Sequence, residues 1–152
     1  MNTSYYLRNN PAIVMGVVET ALQDDGHTDI GRLAVLLPLI MDEKIVDLLI
    51  KRNVEYSFRQ LVQSNNMFLA NYNDRYLSLL QPLYHAVSIM LDAGQIVLKD
   101  KAIERTESSP MQMPENAGSQ RLIKAGIATR RLLRMSQKES TRELYKLLKV
   151  EV

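Results

Sequence analysis

The chain has 152 residues, of which 46% are apolar and 24% charged, the balance of a folded globular protein and not of a disordered one. That length buries one ordinary core and points to one compact domain with room for a C-terminal appendage. The absence of Cys excludes disulfides and thiolate metal sites, and a net charge of +2 does not by itself point to nucleic acid.

The charge is unevenly placed. Residues 110–152 hold nine Lys and Arg against four Asp and Glu, whereas residues 1–109 hold ten against thirteen, so a basic C-terminal part follows a mildly acidic body. Met1 is followed by no basic-then-apolar run, and no window of about 20 apolar residues occurs. Neither a secretory signal nor a membrane span is therefore expected, and a cytoplasmic location is.

Residues 1–9 form a polar lead in which Tyr5, Tyr6 and Leu7 are able to tuck onto the body. Asn10-Pro11 is a helix start, because Asn caps free amides and Pro lacks the N–H that would be orphaned at the first helical position. The predicted helix covers 11–22, with Ile13, Val14, Val17, Val18 and Leu22 in a stripe of period 3.6, and Asp24-Asp25-Gly26 ends it in a polar turn.

Asp29 is placed to cap the next helix, predicted over 30–37. Pro38 disfavours helical geometry in the residue before it, so a break or kink is expected there, with a third helix over 39–51. Residues 33–50 carry only four charges in eighteen positions and read as the segment that the rest of the chain covers. Ser57 opens a further helical pattern containing Phe58, Leu61, Val62, Met67 and Phe68. The most regular helix is predicted over 72–93, with Tyr76, Leu79, Leu80, Leu83, Val87, Met90 and Leu91 at helical spacing and Pro82 expected to bend or restart it.

The period changes after Gly94. Residues 95–99 and 102–105 alternate about Asp100-Lys101, which reads as a β-hairpin following a helix, the layout of a winged-helix wing. Residues 106–119, with two Pro, one Gly and three Ser, read as a linker. A helix is predicted over 120–135, with Leu122, Ala125, Gly126, Leu132 and Leu133 on one arc. Arg121, Lys124, Arg130, Arg131 and Arg134 lie on the other, interleaved with Ile123 and Ile127. Ser140 caps a last helix, 141–149. The expected architecture is mainly α with one small β-hairpin: a winged-helix-like body (1–105), a linker (106–119) and an accessory basic C-terminal helix pair (120–152).

Little in the chain points to catalysis. There is no phosphate-binding Gly-rich loop, no dinucleotide fingerprint, no zinc-protease motif and no nucleophile elbow. His27 lies among Asp24, Asp25 and Asp29, but the order Asp-Asp-Gly-His-Thr-Asp matches no loop of oxygen ligands, and a solvated turn is the expected reading. His85 reads as a packed helix residue. Asp42 and Glu43 are adjacent and face different sides of a helix. No cofactor, no metal and no enzymatic activity are expected. The suggestive surface is the basic helix, where Ile123 and Ile127 among Arg121, Lys124, Arg130, Arg131 and Arg134 fit a protein interface with apolar anchors and an Arg rim. A solvated face or direct contact with DNA phosphates is the alternative use of the same cations.

Several short signatures recur together in one order. Arg-x-Asn-Pro-Ala (Arg8 to Ala12) opens an apolar helix, and Leu37-Pro38-Leu39 follows. A long helix then leads into the Gly94 hairpin, and Leu-Leu-x-Val (147–150) closes the chain. This pattern resembles the small middle component of bacterial three-component ABC-ATPase systems, the group that includes the C subunit of Lamassu-type anti-phage defence complexes. The chain departs from it after Gly126, where Ile127-Ala128-Thr129-Arg130 stands in place of an aromatic. The resemblance implies a non-catalytic adaptor: an SMC-like ATPase senses DNA, a separate effector, often a nuclease, acts, and the small subunit joins them. DNA would be contacted through the complex and no membrane would be involved. The rival expectation is a free-standing winged-helix DNA-binding regulator, which would need several exposed basic or amide residues on the helix before the hairpin. That helix holds only Arg75 as a cation.

Overall fold

Residues 33–40 are buried without exception, and the other elements are arranged about the helix that carries them. The structure, a computed structural model, describes residues 11–51, 57–107 and 120–151. It is mostly helical with one small antiparallel sheet. In chain order the elements are α1 (Pro11–Ala21), β1 (His27–Asp29), α2 (Ile30–Ile40), α3 (Glu43–Ile50), α4 (Phe58–Ser64) and a 3₁₀ segment (Asn66–Asn71). They continue with α5 (Tyr72–Asp92), β2 (Ile96–Lys99), β3 (Ala102–Arg105), α6 (Gln120–Met135) and α7 (Thr141–Leu147).

Local chemistry sets most of these bounds. Asp29 caps α2, its carboxylate accepting from the Gly31 and Arg32 amides at 2.7 and 3.3 Å. Ser57 and Gln60 form a reciprocal capping box at the start of α4. Gly94, in the left-handed region at φ 74°, ends α5, and the Gln95 amide reaches back to the Met90 carbonyl. Asp100, at φ 53°, turns the hairpin between β2 and β3.

The expected break at Pro38 does not occur there. Helix α2 runs on to Ile40, and a new helix begins after Asp42, whose carboxylate caps the Lys44 and Ile45 amides. A proline removes one rung of the helical ladder without ending the helix when other groups fill the gap. Here the buried Tyr72 hydroxyl donates to the Val35 carbonyl at 2.5 Å, which gives the turn beside the proline a partner from outside the helix. Pro82 likewise leaves α5 continuous. The 66–71 stretch winds as 3₁₀ instead of extending α4, and it turns Met67 outward, 89% exposed.

A second correction concerns residues 27–29. They form a strand and not merely a polar turn, pairing His27 with Glu104, Thr28 with Ile103 and Asp29 with Ala102. The sheet order is β1-β3-β2, so the hairpin's second strand is central and β2 lies at an edge. Three residues, all with polar side chains, carry no alternation to announce a strand; the hairpin supplies the partner that makes it one.

One apolar core runs through the described residues. Val14, Val17 and Val18 of α1, Leu33 to Leu37 with Leu39 and Ile40 of α2, Leu79 and Leu83 of α5, Ile96 and Ile103 of the hairpin, Leu132 of α6 and Leu144 of α7 all belong to it. Helices α1 and α6 approach closely at Gly16, where an added Cβ would stand 2.3 Å from the Leu122 Cδ1 atom. The expected linker falls mainly on residues 108–119, outside the described residues.

Candidate partner interface

The basic helix α6 lies between α1 and α3, and its cations are occupied within the chain. Arg121 reaches the Glu43 carboxylate at 3.5 Å, and the Lys124 ammonium stands 3.6 Å from Asp47. Arg130 donates to the Gln23 side-chain oxygen at 2.5 Å, with Asp24 at 3.8 Å. Arg131 donates to the Leu49 carbonyl and, at 3.1 Å, to the Lys51 carbonyl, so a cation sits where the C-terminus of α3 is most negative. Only Arg134, exposed, makes no hydrogen bond or ion pair among the described residues. Ile123 is half-buried and Ile127 is 38% exposed. Of the seven residues singled out from the sequence, Ile127 and Arg134 are therefore the two most open to a visitor.

Beside this helix a cleft of about 290 Å³ is lined by Ile13, Met41, Val46, Glu43, Arg121 and Lys124, among others. Its acids and bases face one another, so its rim is already neutralised. The far end of α6 is closed by Arg32, which donates to the Ser136 carbonyl at 2.7 Å and the Glu139 carbonyl at 2.5 Å. Burial pulls the Arg32 pKa down, and Asp29 opposes that shift. Asp29 also accepts from the Thr141 hydroxyl at 3.0 Å, and Tyr145 donates to the Gly31 carbonyl at 3.0 Å. Burial, with the Tyr76 hydroxyl 3.2 Å away, pushes the Tyr145 pKa well above the tyrosine range. These groups fasten α7 to α2. Among the described residues no group of three or more His, Asp or Glu side chains is gathered closely enough to hold a metal ion.

Helix α5 is built the other way. From Leu77 to Leu91 it carries no Asp, Glu, Lys or Arg across fifteen residues, although much of that surface meets water. Leu77 is 53% and Tyr84 56% exposed, and Ile89 is exposed beside them in sequence. Its one cation, Arg75, lies 4.1 Å from the Phe68 ring centroid and 3.4 Å from the Asp42 carboxylate. Strand β2, which packs against α5, adds exposed Val97 and Leu98 at the open edge of the sheet. The exposed part of that run sets Leu77, Tyr84 and Ile89 among Ser78, Gln81, His85 and Ser88, a surface without the formal charges that mark most solvated faces. Sequence periodicity covered Leu77, Tyr84, Val97 and Leu98 only as positions within the predicted 72–93 helix and the 95–99 strand. The signal that marks them is the uncharged run itself.

The family model described as ABC-three component (ABC-3C) system Middle Component 3 matches residues 1–152. The chain belongs to that family. No curated protein and no solved structure shows significant similarity to it. A middle component, by that description, is one of three parts, so it works with other subunits. None of its described helices is long and apolar enough to cross a membrane.

Proposed function

We propose that this middle component is a non-catalytic, cytoplasmic adaptor that joins an SMC-like ABC ATPase to an effector, a nuclease, in an anti-phage or anti-plasmid defence complex of the Lamassu type. The ATPase senses DNA, and the adaptor meets DNA only through the complex. A winged-helix-like body belongs to the same reading, and what supports it is that a strand after the first helix pairs with a hairpin that follows a long helix. The observation that carries the adaptor reading is the uncharged, partly exposed run from Leu77 to Leu91, continued by Val97 and Leu98. That face serves as the docking surface for one component. The outward positions of the basic helix, Ile127 and Arg134, serve the other.

The same observation weighs against a regulator that reads DNA with α5. Base and phosphate contacts need cations and amides on the presented helix, and the one cation there is engaged by Asp42 and Phe68.

The test is a three-way reconstitution from purified components. The ATPase and the effector are expected to co-elute only when the middle component is present. Co-elution of those two without it would overturn the adaptor role.

A further inference from the structure

We infer that the α5 face takes one amphipathic helix of another subunit, laid along the seam Leu77, Leu80, Tyr84, Val87 and Leu91 and flanked by Lys or Arg. The inference rests on the adaptor reading and names the chemistry of what docks there. The five positions are spaced three, four, three and four residues apart, the repeat that a second helix packs along by inserting knobs between them. Leu77 and Tyr84 stand out into water, Leu80 and Leu91 are half-buried, and Val87 forms the floor. At 1.5 Å per residue the seam is about 21 Å long, close to four turns of helix.

Charge decides the occupant. On α5 itself, the formal charges at the seam's two ends, apart from the engaged Arg75, are Asp74 and Asp92. Both are exposed, and neither forms an ion pair among the described residues. They are eighteen residues apart, five turns at 3.6 residues per turn, so they stand on one side of the helix about 27 Å from each other. A docked helix with apolar residues at heptad spacing and cations on that flank satisfies both carboxylates. A second copy does not fit, because an antiparallel twofold about Tyr84 brings Asp74 of each chain alongside Asp92 of the other, and like charges at an interface are unfavourable. Strand addition at β2 is the weaker alternative, since the strand has four residues and its outward backbone groups belong to Ile96, which is buried, and Leu98.

The full chain, tagged and co-expressed with the other two components, is the preparation to use. Leu77→Glu with Tyr84→Glu is expected to lower capture of one component at least about tenfold, the effect of removing anchor side chains. Asp74→Lys with Asp92→Lys is expected to lower it about three- to tenfold, more at low salt than at high. Leu98→Pro, which removes an edge donor, is expected to leave capture intact. All five positions are solvent-exposed, and circular dichroism melts confirm that each variant folds; Tyr84→Ala is the milder substitute if the double Glu variant does not. Capture indifferent to the α5 and Asp substitutions overturns the inference and leaves the adaptor role standing. So does loss on Leu98→Pro alone, or a wild-type dimer by light scattering that Tyr84→Glu dissociates. Capture of neither component by the wild-type chain overturns both.

Discussion

Helices α5 and α6 both run along the outside of the core, and they handle charge in opposite ways. Helix α6 is rich in cations, and four of its five spend them on Glu43, Asp47, Gln23, Asp24 and the end of α3. Helix α5 has almost no charge between Asp74 and Asp92 and leaves Leu77 and Tyr84 in water. Arginines on a helix are conspicuous in a sequence, but they are also the best groups for fastening that helix to neighbouring carbonyls and carboxylates. A gap in the charge pattern is harder to see and is the better sign of a surface meant for another chain.

The comparison makes α6 a structural support, and the largest effects on stability should come from its buried side. Leu132 is fully buried, so Leu132→Ala is expected to cost about 2–5 kcal/mol, from lost transfer energy and the cavity left behind. Urea unfolding measures it, and an unchanged midpoint would separate α6 from the core. Leu77→Ala on α5, at an exposed position, is expected to shift stability by no more than about 0.5 kcal/mol in the same assay.

Next in size is Tyr72→Phe, expected to cost about 1–3 kcal/mol, because the Val35 carbonyl loses its buried partner beside Pro38. The same residue sets an alkaline limit. Burial raises the Tyr72 pKa above that of the unfolded chain, about 10, so its contribution is whole below pH ~10 and is lost as pH rises toward the folded value. Thermal melts from pH ~9 to ~11.5 should show a steeper fall for the wild type than for Tyr72→Phe. Parallel falls would show that another group, Tyr145 first, governs the limit.

Much of this was legible from residue chemistry, and the exceptions have specific causes. The caps at Asp29 and Ser57, the buried 33–40 segment and the Gly94 hairpin follow from local rules that act within a few residues. The end of α2 does not, because Tyr72, thirty-seven positions from the Val35 carbonyl it bonds, supplies the hydroxyl that supports the helix past Pro38. Strand β1 escaped for the same reason: its pairing partner is Ala102 to Glu104. The candidate site was half visible. Periodicity identified which α6 residues face outward from its own core side, but not that α1 and α3 stand there to receive them. On α5 the stripe drawn by helical spacing followed the core, and the exposed flank needed the position of β2 before it stood out.

The smallest effects separate two neighbouring arginines. Arg131 donates to two carbonyls at the end of α3, which no other side chain among the described residues serves. Arg131→Ala should therefore cost about 1–2 kcal/mol, as expected for a charge-assisted hydrogen bond to a partly buried acceptor. Arg134→Ala, which removes no contact among the described residues, should change stability by less than about 0.5 kcal/mol. If both substitutions leave stability untouched but weaken co-purification with another component, α6 is a partner surface in its own right and the contrast with α5 fails. If Arg131→Ala destabilises and Arg134→Ala alone weakens co-purification, the contrast sharpens. The cations facing α1 and α3 then hold the fold, and only the outward position Arg134 meets a second partner.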